Sequence, residues 1–190
     1  MNFRALAFLD TSYVTAALVT KYRDTWGQNT ARQSFEGSPH HDTQSILLRG
    51  PQNPTVENWF EDIPQVDYPI LKDWKSARAI LARIKDAVQP LFPGRNIILG
   101  KAMIVRLKVG GHVDWHVDEG EYAEKHDRAH LCLLPSPGAF LYSGTEMAQP
   151  PVGSLTWINN RILHSAVNMG PVARVHLIAD IRKPDQDDSV

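Results

Sequence analysis

The sequence of 190 residues contains one cysteine, Cys132. A single cysteine cannot form a disulfide within the chain, which argues against a disulfide-stapled secreted fold and fits the reducing cytoplasm. The formal net charge is only -1, and the lysines and arginines are scattered rather than gathered in a stripe. Because proteins that follow a phosphate backbone need such a stripe, we do not expect a nucleic-acid partner.

Long hydrophobic runs are also lacking. No apolar segment approaches the roughly 20 residues of a membrane span, and the opening segment MNFRALAFLDTSYV carries Asp10 and no small-residue cleavage site, so we expect no signal peptide. Phosphate-binding glycine loops, dinucleotide fingerprints and G-x-S-x-G elbows are missing, which leaves phosphoryl transfer, hydride transfer and serine hydrolysis without support. With 43% hydrophobic residues, the chain suits one globular domain over residues 1–190.

The segments that are present divide the chain into a helical half and a strand-rich half. Helices are predicted over Thr11–Trp26 and Asp73–Phe92, and a strand, QSILLRG, ends at Gly50 before a proline-rich loop to Pro69. From residue 96 onward the pattern changes to short strands between Gly, Pro and Asn turns. This predicts a mainly β sandwich or barrel with flanking helices, in which residues 1–95 support a core of residues 96–184.

The segment GGHVDWHVDEG is unusually rich in possible metal ligands. If it is extended, alternation places His112, Asp114, His116 and Asp118 on one face and the apolar residues on the other. The same alternation is typical of a solvated edge strand, so the segment alone is ambiguous. His164 lies 48 residues after His116, beyond three predicted strands. It is either a further ligand or a core histidine bonded to a backbone carbonyl.

Two histidines and one carboxylate on one side of an octahedral ion leave three positions open, as Fe(II) oxygenases require. A structural zinc site would need four closed ligands, whereas a catalytic zinc with three protein ligands stays possible. Two arginines accompany this set: Arg174 in the apolar segment ARVHLIAD, and Arg128, which shares a strand face with His130. Either arginine could form a salt bridge, to Asp180 or Asp127, but a guanidinium fork also suits a dicarboxylate cosubstrate.

Four segments, GGHVDWHVD, RAHLCLLP, GSLTWINNRILHSAVN and RVHLIADI, together resemble the aspartyl/asparaginyl β-hydroxylase family of 2-oxoglutarate- and Fe(II)-dependent oxygenases. The resemblance covers about residues 97–184 and nothing earlier. It implies a double-stranded β-helix, the cupin-like jelly-roll barrel. It also implies bound Fe(II), 2-oxoglutarate as cosubstrate and O2. The implied metal ligands are His116, Asp118 and His164, and the implied cosubstrate contacts are Arg174 at the distal carboxylate and Arg128 and His130 near the other end.

One departure from the family pattern concerns Val105, which stands where the family can carry a serine that helps to hold the distal carboxylate. The resemblance implies hydroxylation of an amino acid, a peptide residue or a related small metabolite, with release of succinate and CO2. Two alternatives remain open: a metal-dependent cupin isomerase or dioxygenase that uses no 2-oxoglutarate, and a non-enzymatic cupin binding module. We expect a cytoplasmic protein without a membrane partner.

The segment SPHHDT, with His40, His41 and Asp42, is a weaker metal candidate, because adjacent histidines in a loop face different ways. Arg49 is a candidate contact for a substrate carboxylate, with a surface ion pair as the simpler interpretation.

His112 and Asp114 are expected to line the mouth of the site or to bond each other, with His112 supporting the ligands indirectly. Trp115 and Trp157 are expected to be core rings.

Overall fold

The protein is mainly β, with helices packed outside the sheets. The structure, a computed structural model, describes residues 1–27, 30–94 and 96–182. Residues 183–190, which include the end of the predicted core, lie outside the described part. The strands are β1 Phe3–Phe8, β2 Thr43–Pro51, β3 Gln65–Asp67, β4 Ile98–Leu107, β5 His112–His116, β6 His126–Cys132, β7 Ala139–Ser143, β8 Glu146–Ala148, β9 Ser154–Ile158, β10 His164–Asn168 and β11 Arg174–Arg182.

The strands form two antiparallel sheets. The larger has the order β1-β9-β6-β11-β4-β2-β3 and the smaller the order β5-β10-β7-β8. A small apolar cluster containing Leu107, Val113 and Leu141 joins strands of both sheets, so their inner faces pack against each other. This is the predicted double-stranded β-helix, a jelly roll with helices outside.

One face of the larger sheet is covered by helices. Ala77, Ile80, Leu81, Ile84 and Val88 are all buried, which confirms the predicted stripe. None of the described helices is long and apolar enough to cross a membrane. The helices are α1 Ser12–Thr20, α2 Ala31–Ser34, α3 Pro69–Asp73, α4 Lys75–Val88 and α5 Glu121–Lys125, with 3-10 turns at Glu57–Trp59 and Gln89–Leu91.

Both predicted helices are shorter than the sequence pattern indicated. The first ends at Thr20 rather than Trp26, because Thr25 donates its hydroxyl proton to the carbonyl of Tyr22 and closes a turn there. Tyr22 is still buried, since its ring stacks on Trp74 with 4.0 Å between centroids. The second predicted helix breaks at Trp74, where α3 ends and α4 begins.

Two strands in the first half of the chain were not predicted. β1 pairs with β9 at one edge of the larger sheet, and β3 pairs with β2 at the other, inside the stretch interpreted as a loop. The sequences of β1 and β3 show no clear alternation of apolar and polar residues. Pairing with a neighbouring strand, rather than local sequence, therefore makes these segments extended. The two strands form the edges of the larger sheet.

The central strand β11 has both faces covered. Val175, Leu177, Ala179 and Ile181 point into the apolar core under α1 and α4. Because side chains alternate along a strand, Arg174, His176, Ile178 and Asp180 point to the opposite face, toward the smaller sheet. One strand therefore joins the core of the fold to the polar site.

A buried lysine, Lys101, connects the 3-10 turn Glu57–Trp59 and α5 to the larger sheet. Its side chain is 2% exposed, its Nζ donates to the carbonyl of Trp59, and Nζ lies 3.3 Å from the ring centroid of Tyr122. Burial lowers the pKa of Lys101 to about 7, against an ordinary value of 10.5. The folded protein therefore favours the neutral amine.

This pKa predicts a pH-dependent stability. Between about pH 7 and pH 10.5 the unfolded chain binds one more proton at Lys101 than the folded chain, so the free energy of unfolding should rise with pH, by at most about 1.4 kcal/mol per pH unit from this group. We expect the rise to be weaker in Lys101→Met, measured by urea unfolding at about pH 7.5 and about pH 9. The exposed Lys72→Met is the control, and parallel behaviour of Lys101→Met and the wild type would refute the assignment.

Candidate metal centre and cosubstrate pocket

A cavity lies between the two sheets. Its apolar lining includes Val105 and Ile178 from the larger sheet and Val113 and Leu141 from the smaller one. Its polar lining contains the groups on which the site depends. These are Arg32, His40, His116, Arg128, His130, Asn160, His164 and Arg174.

His116 reaches this cavity because β5 contains a bulge. His116 is opposite His164 and Val113 is opposite Ala166, so β5 has one residue more than β10 between the two pairs. One extra residue reverses the side to which the following side chains point. His116 therefore lines the cavity on the face of Val113, and the prediction that it shares a face with His112 and Asp114 was wrong.

The two histidines present the same ring atom to the cavity. Nδ1 of His116 donates to the carbonyl of Asp114 at 2.7 Å, and Nδ1 of His164 donates to the carbonyl of Ile162 at 2.9 Å. A carbonyl only accepts, so in each neutral ring the proton is on Nδ1 and Nε2 keeps its lone pair. Each imidazole is therefore oriented for metal binding through Nε2.

Asp118 lies in the loop after β5, where its backbone N–H donates to the carbonyl of Asn160. Its Oδ2 accepts hydrogen bonds from Nη1 of Arg128 and, at 2.9 Å, from Nδ2 of Asn160. Its Oδ1 lies 3.5 Å from Nε2 of His116 and 3.8 Å from Nε2 of His164. One oxygen thus positions the carboxylate while the other faces the two imidazoles.

The electrostatics keep these groups in their metal-binding forms. Burial is the largest single effect and disfavours the charged form of Asp118, but the Arg128 guanidinium, together with His116, His164 and Asn160, holds the pKa of Asp118 well below its ordinary value. Burial lowers the pKa of His164 to about 4, against the opposing effect of Asp118. At neutral pH the site therefore offers a carboxylate and a neutral imidazole.

These three residues fit one metal ion. Two ligands bonded to one ion at about 2.1 Å lie at most about 4.2 Å apart, and both Oδ1-to-Nε2 distances are within that limit. Nε2 of His116 is buried and has no hydrogen-bond partner among the described residues. Because only His116, Asp118 and His164 converge here, three positions of an octahedral ion stay open, which suits Fe(II).

Asn160 is a site residue that the sequence did not reveal. It is 2% exposed and lies in the turn after β9, which the sequence pattern marked only as a turn. Its amide donates to Asp118 and its backbone carbonyl accepts from the same residue. Asn160 therefore holds the carboxylate of Asp118 in place but is not itself one of the three candidate metal ligands.

We expect Asn160→Ala to weaken metal binding and turnover about 10-fold to 100-fold, because removing a partner that orients a metal ligand typically costs that much. Fe(II) titration and succinate formation measure the two effects. Asn159→Ala is the control, since within the described part of the chain its side chain accepts only from the backbone N–H of Arg161. Equal metal affinity in Asn160→Ala and the wild type would show that Asp118 needs no such support.

Arg174 is buried beside the metal candidate without a counter-ion. It is 4% exposed, its Nε and Nη1 have no hydrogen-bond partner among the described residues, and none of the ion pairs found there includes it. Burial lowers the pKa of Arg174 to about 10, so the guanidinium is charged at neutral pH. A buried charge of this kind requires an anionic partner, here a bound ligand.

Arg128 is bound on two sides. Its Nε and Nη2 donate to the carboxylate of Asp180 at 2.8 and 3.1 Å, and its Nη1 donates to Asp118. The salt bridge to Asp180 that the sequence left open is therefore present. His130 lines the cavity with an unpartnered Nδ1, and its ring meets that of His176 edge-on at 5.7 Å. Contact of Arg128 and His130 with the cosubstrate stays a prediction.

Unpartnered polar atoms concentrate in this cavity. Among the described residues, ten buried side-chain nitrogen and oxygen atoms lack a hydrogen-bond partner, and seven of them belong to residues that line it. Native proteins leave few buried polar groups unsatisfied, so this concentration indicates a place for polar ligands. The rest of the described fold satisfies its polar groups well.

The segment SPHHDT divides between two faces. His40 lines the cavity, whereas His41 and Asp42 lie outside with His112. Nε2 of His112 lies 3.1 Å from Oδ1 of Asp114, but the His112 side chain is 51% exposed and does not line the cavity, so it is not placed to support the metal ligands. Lys108 lies 2.6 Å from Asp42, so the outer group already has a cation.

Two further expectations were wrong or less favoured. Trp115 is 51% exposed rather than a core ring, because the bulge in β5 turns it outward, 5.8 Å from the ring of Tyr142. Trp157 is half-buried. Arg49 pairs with Asp67 and does not line the cavity, which favours the ion-pair interpretation over a substrate contact.

Comparisons with solved structures show the same fold. The chain resembles an oxidoreductase of the 2OG-Fe(II) oxygenase family from Burkholderia pseudomallei, with 14% identity, a TM-score of 0.62, and 92% of this chain and 80% of that chain covered. It also resembles a Trichoplax adhaerens prolyl hydroxylase in complex with a hypoxia inducible factor peptide fragment. The identity is 11% and the TM-score 0.64, with 95% of this chain and 83% of that chain covered. A third similar structure is a Pseudomonas putida prolyl-4-hydroxylase, with 15% identity, a TM-score of 0.57, and 96% of this chain and 91% of that chain covered.

Sequence comparison supports the same assignment more directly. No curated protein shows significant similarity to the chain. A family model described as aspartyl/asparaginyl beta-hydroxylase matches residues 72–184, more than half of the chain. The match begins well before residue 97, so it includes α4 as well as the strands that carry the motifs. The chain therefore belongs to the aspartyl/asparaginyl β-hydroxylase family, within the 2-oxoglutarate- and Fe(II)-dependent oxygenases.

Proposed function

We propose that this protein is a 2-oxoglutarate- and Fe(II)-dependent dioxygenase that hydroxylates an amino acid, a peptide residue or a related small metabolite, with His116, Asp118 and His164 as metal ligands. The observation that carries the proposal is the convergence of two Nε2 atoms and Oδ1 of Asp118 in a cavity that also holds the unpaired guanidinium of Arg174. Bound there, iron and 2-oxoglutarate supply the oxidative chemistry: O2 is consumed, 2-oxoglutarate becomes succinate and CO2, and one oxygen atom enters a substrate C–H bond.

The residues of the chain bind, orient and shield. His116, Asp118 and His164 would occupy one side of the ion, and Arg174 would hold the distal carboxylate of 2-oxoglutarate through a charge-assisted contact. Arg128 keeps Asp118 ionised and, with His130, is assigned to the neighbourhood of the other end of the cosubstrate. The apolar walls of the cavity limit the access of water.

Neither of the two alternatives that the sequence left open gives the buried Arg174 an anionic ligand. A cupin enzyme without 2-oxoglutarate and a non-enzymatic cupin module would both leave this guanidinium buried and uncompensated, at a considerable cost in stability. We also assign the whole chain to one oxygenase domain, with residues 1–95 supporting the core and contributing to substrate selection. The buried free thiol of Cys132 agrees with a location in the cytoplasm.

The direct test is an aerobic incubation with Fe(II), 2-oxoglutarate and pooled amino acids and peptides, followed by mass spectrometry. We expect one component to gain one oxygen atom and succinate to form in equal amount. Reactions without 2-oxoglutarate and reactions with His164→Ala serve as controls. A product that forms equally well without 2-oxoglutarate would contradict the proposal.

A further inference from the structure

A second buried guanidinium, that of Arg32, faces the same cavity. Arg32 lies in α2, well before the residues that the family model matches. The residue as a whole is partly buried, but its Nη1 is inaccessible to solvent and has no hydrogen-bond partner among the described residues. None of the ion pairs found in the described ranges includes Arg32. Like Arg174, it is a cation without a counter-ion.

Local hydrogen bonds hold this guanidinium at the metal centre. The hydroxyl of Ser38 donates to the carbonyl of Arg32 at 2.6 Å and accepts from the backbone N–H of His40 at 3.1 Å, which folds the loop back on itself. Nη2 of Arg32 donates to Nε2 of His40 at 3.1 Å. The ring of His40 meets that of His116 edge-on, with 4.9 Å between centroids. One imidazole therefore separates Arg32 from a metal ligand.

The pair of Arg32 and His40 offers only donors to the cavity. Arg32 carries only donors, so Nε2 of His40 accepts from it and keeps its lone pair. Since Nε2 accepts from Arg32, the ring proton is on Nδ1, which is also buried without a partner. Burial, followed by the charge of Arg128, lowers the pKa of Arg32 to about 10, which leaves it charged at neutral pH. Nη1 of Arg32 and Nδ1 of His40 are thus two donors without acceptors, and because Arg32 is charged, the group that accepts from them should be an anion.

The charges of the cavity leave one such place open. Both nearby carboxylates, Asp118 and Asp180, are bonded to Arg128. In the proposed function, on which this inference rests, one carboxylate of 2-oxoglutarate lies on Arg174 and the other on the metal. Arg32 is then the remaining uncompensated cation, and a single carboxylate balances it. A phosphate would bring a second negative charge for which the described residues provide no further cation.

We propose that Arg32 binds a carboxylate of the substrate and so takes part in substrate selection. Two sources share this chemistry: the α-carboxylate of a free amino acid, and the side-chain carboxylate of an aspartyl residue within a peptide. A planar guanidinium fork suits either one, and its position beside His40 and His116 brings the bound molecule close to the metal.

Equilibrium binding tests this without turnover. Calorimetry is carried out on protein loaded with Mn(II) and 2-oxoglutarate in the absence of O2. The probes are the common L-amino acids against their α-amides, and acetylated aspartyl peptide amides against asparaginyl ones. We expect a carboxylate probe to bind the wild type about 10-fold to 100-fold more tightly than its amide partner. Arg32→Met should abolish this preference and Arg32→Lys should retain part of it.

The controls separate this inference from the proposed function. Arg49→Met removes an arginine paired outside the cavity and should leave the preference unchanged. Arg32→Met should leave 2-oxoglutarate binding intact, whereas weakened 2-oxoglutarate binding would assign Arg32 to the cosubstrate and overturn the inference. A panel in which no carboxylate probe binds the wild type more tightly than Arg32→Met would also overturn it. Failure of the proposed function would appear instead as no Fe(II)-dependent consumption of 2-oxoglutarate by the wild type.

Discussion

Replacing His164 by alanine is expected to abolish turnover, with succinate formation reduced by more than about 100-fold, the upper range for loss of a residue that only supports a ligand. The imidazole contributes Nε2, held by the hydrogen bond of its Nδ1 to the carbonyl of Ile162. Without it, two ligands remain and water fills the vacancy. His116→Ala and Asp118→Ala should behave in the same way, and Fe(II) titration should show the loss of affinity directly.

The fold should survive these substitutions. The apolar core under α1 and α4 contains none of the three ligands, so thermal unfolding of His164→Ala should stay close to that of the wild type. His112→Ala is the matched control, because His112 lies on the same strand as His116 but on the exposed side. Full activity in His164→Ala, or loss of activity confined to His112→Ala, would show that the metal is bound elsewhere.

Arg174→Met is expected to raise the 2-oxoglutarate requirement by about 30-fold or more while metal binding is retained. Truncating one partner of a buried charge pair typically costs about 2 to 5 kcal/mol, and about 1.4 kcal/mol corresponds to tenfold in affinity. Methionine keeps much of the length of the arginine stem but removes the fork. Arg174→Lys should fall between the two, since an ammonium keeps the charge but loses the planar pairing. Titration of 2-oxoglutarate against succinate formation measures the effect.

The same variant has a second, independent readout. Because the guanidinium of Arg174 is buried without a carboxylate partner in the described part of the chain, Arg174→Met should be at least as stable as the wild type when 2-oxoglutarate is absent. Added 2-oxoglutarate should then stabilise the wild type but hardly the variant. An unchanged 2-oxoglutarate requirement in Arg174→Met would place the distal carboxylate on another group or exclude 2-oxoglutarate as the cosubstrate.

Features that depend on the local period of the backbone could be predicted from sequence. The buried stripe of α4 follows from 3.6 residues per turn, and the two faces of β11 follow from strict alternation, which places Arg174 away from the apolar core. The residue types of the metal centre also followed from chemistry, since two imidazoles and a carboxylate suit a half-open iron site.

Other features depend on partners that are distant in sequence, and only the tertiary structure decided them. The bulge that turns His116 inward exists because β5 pairs with β10, and the same bulge exposes Trp115. Asn160 and Arg32 come to the site from a turn and a four-residue helix that carry no periodic signal. Local sequence therefore determined which groups the chain offers, whereas strand register and loop packing determined which of them meet, because a one-residue shift in pairing moves a side chain to the opposite face.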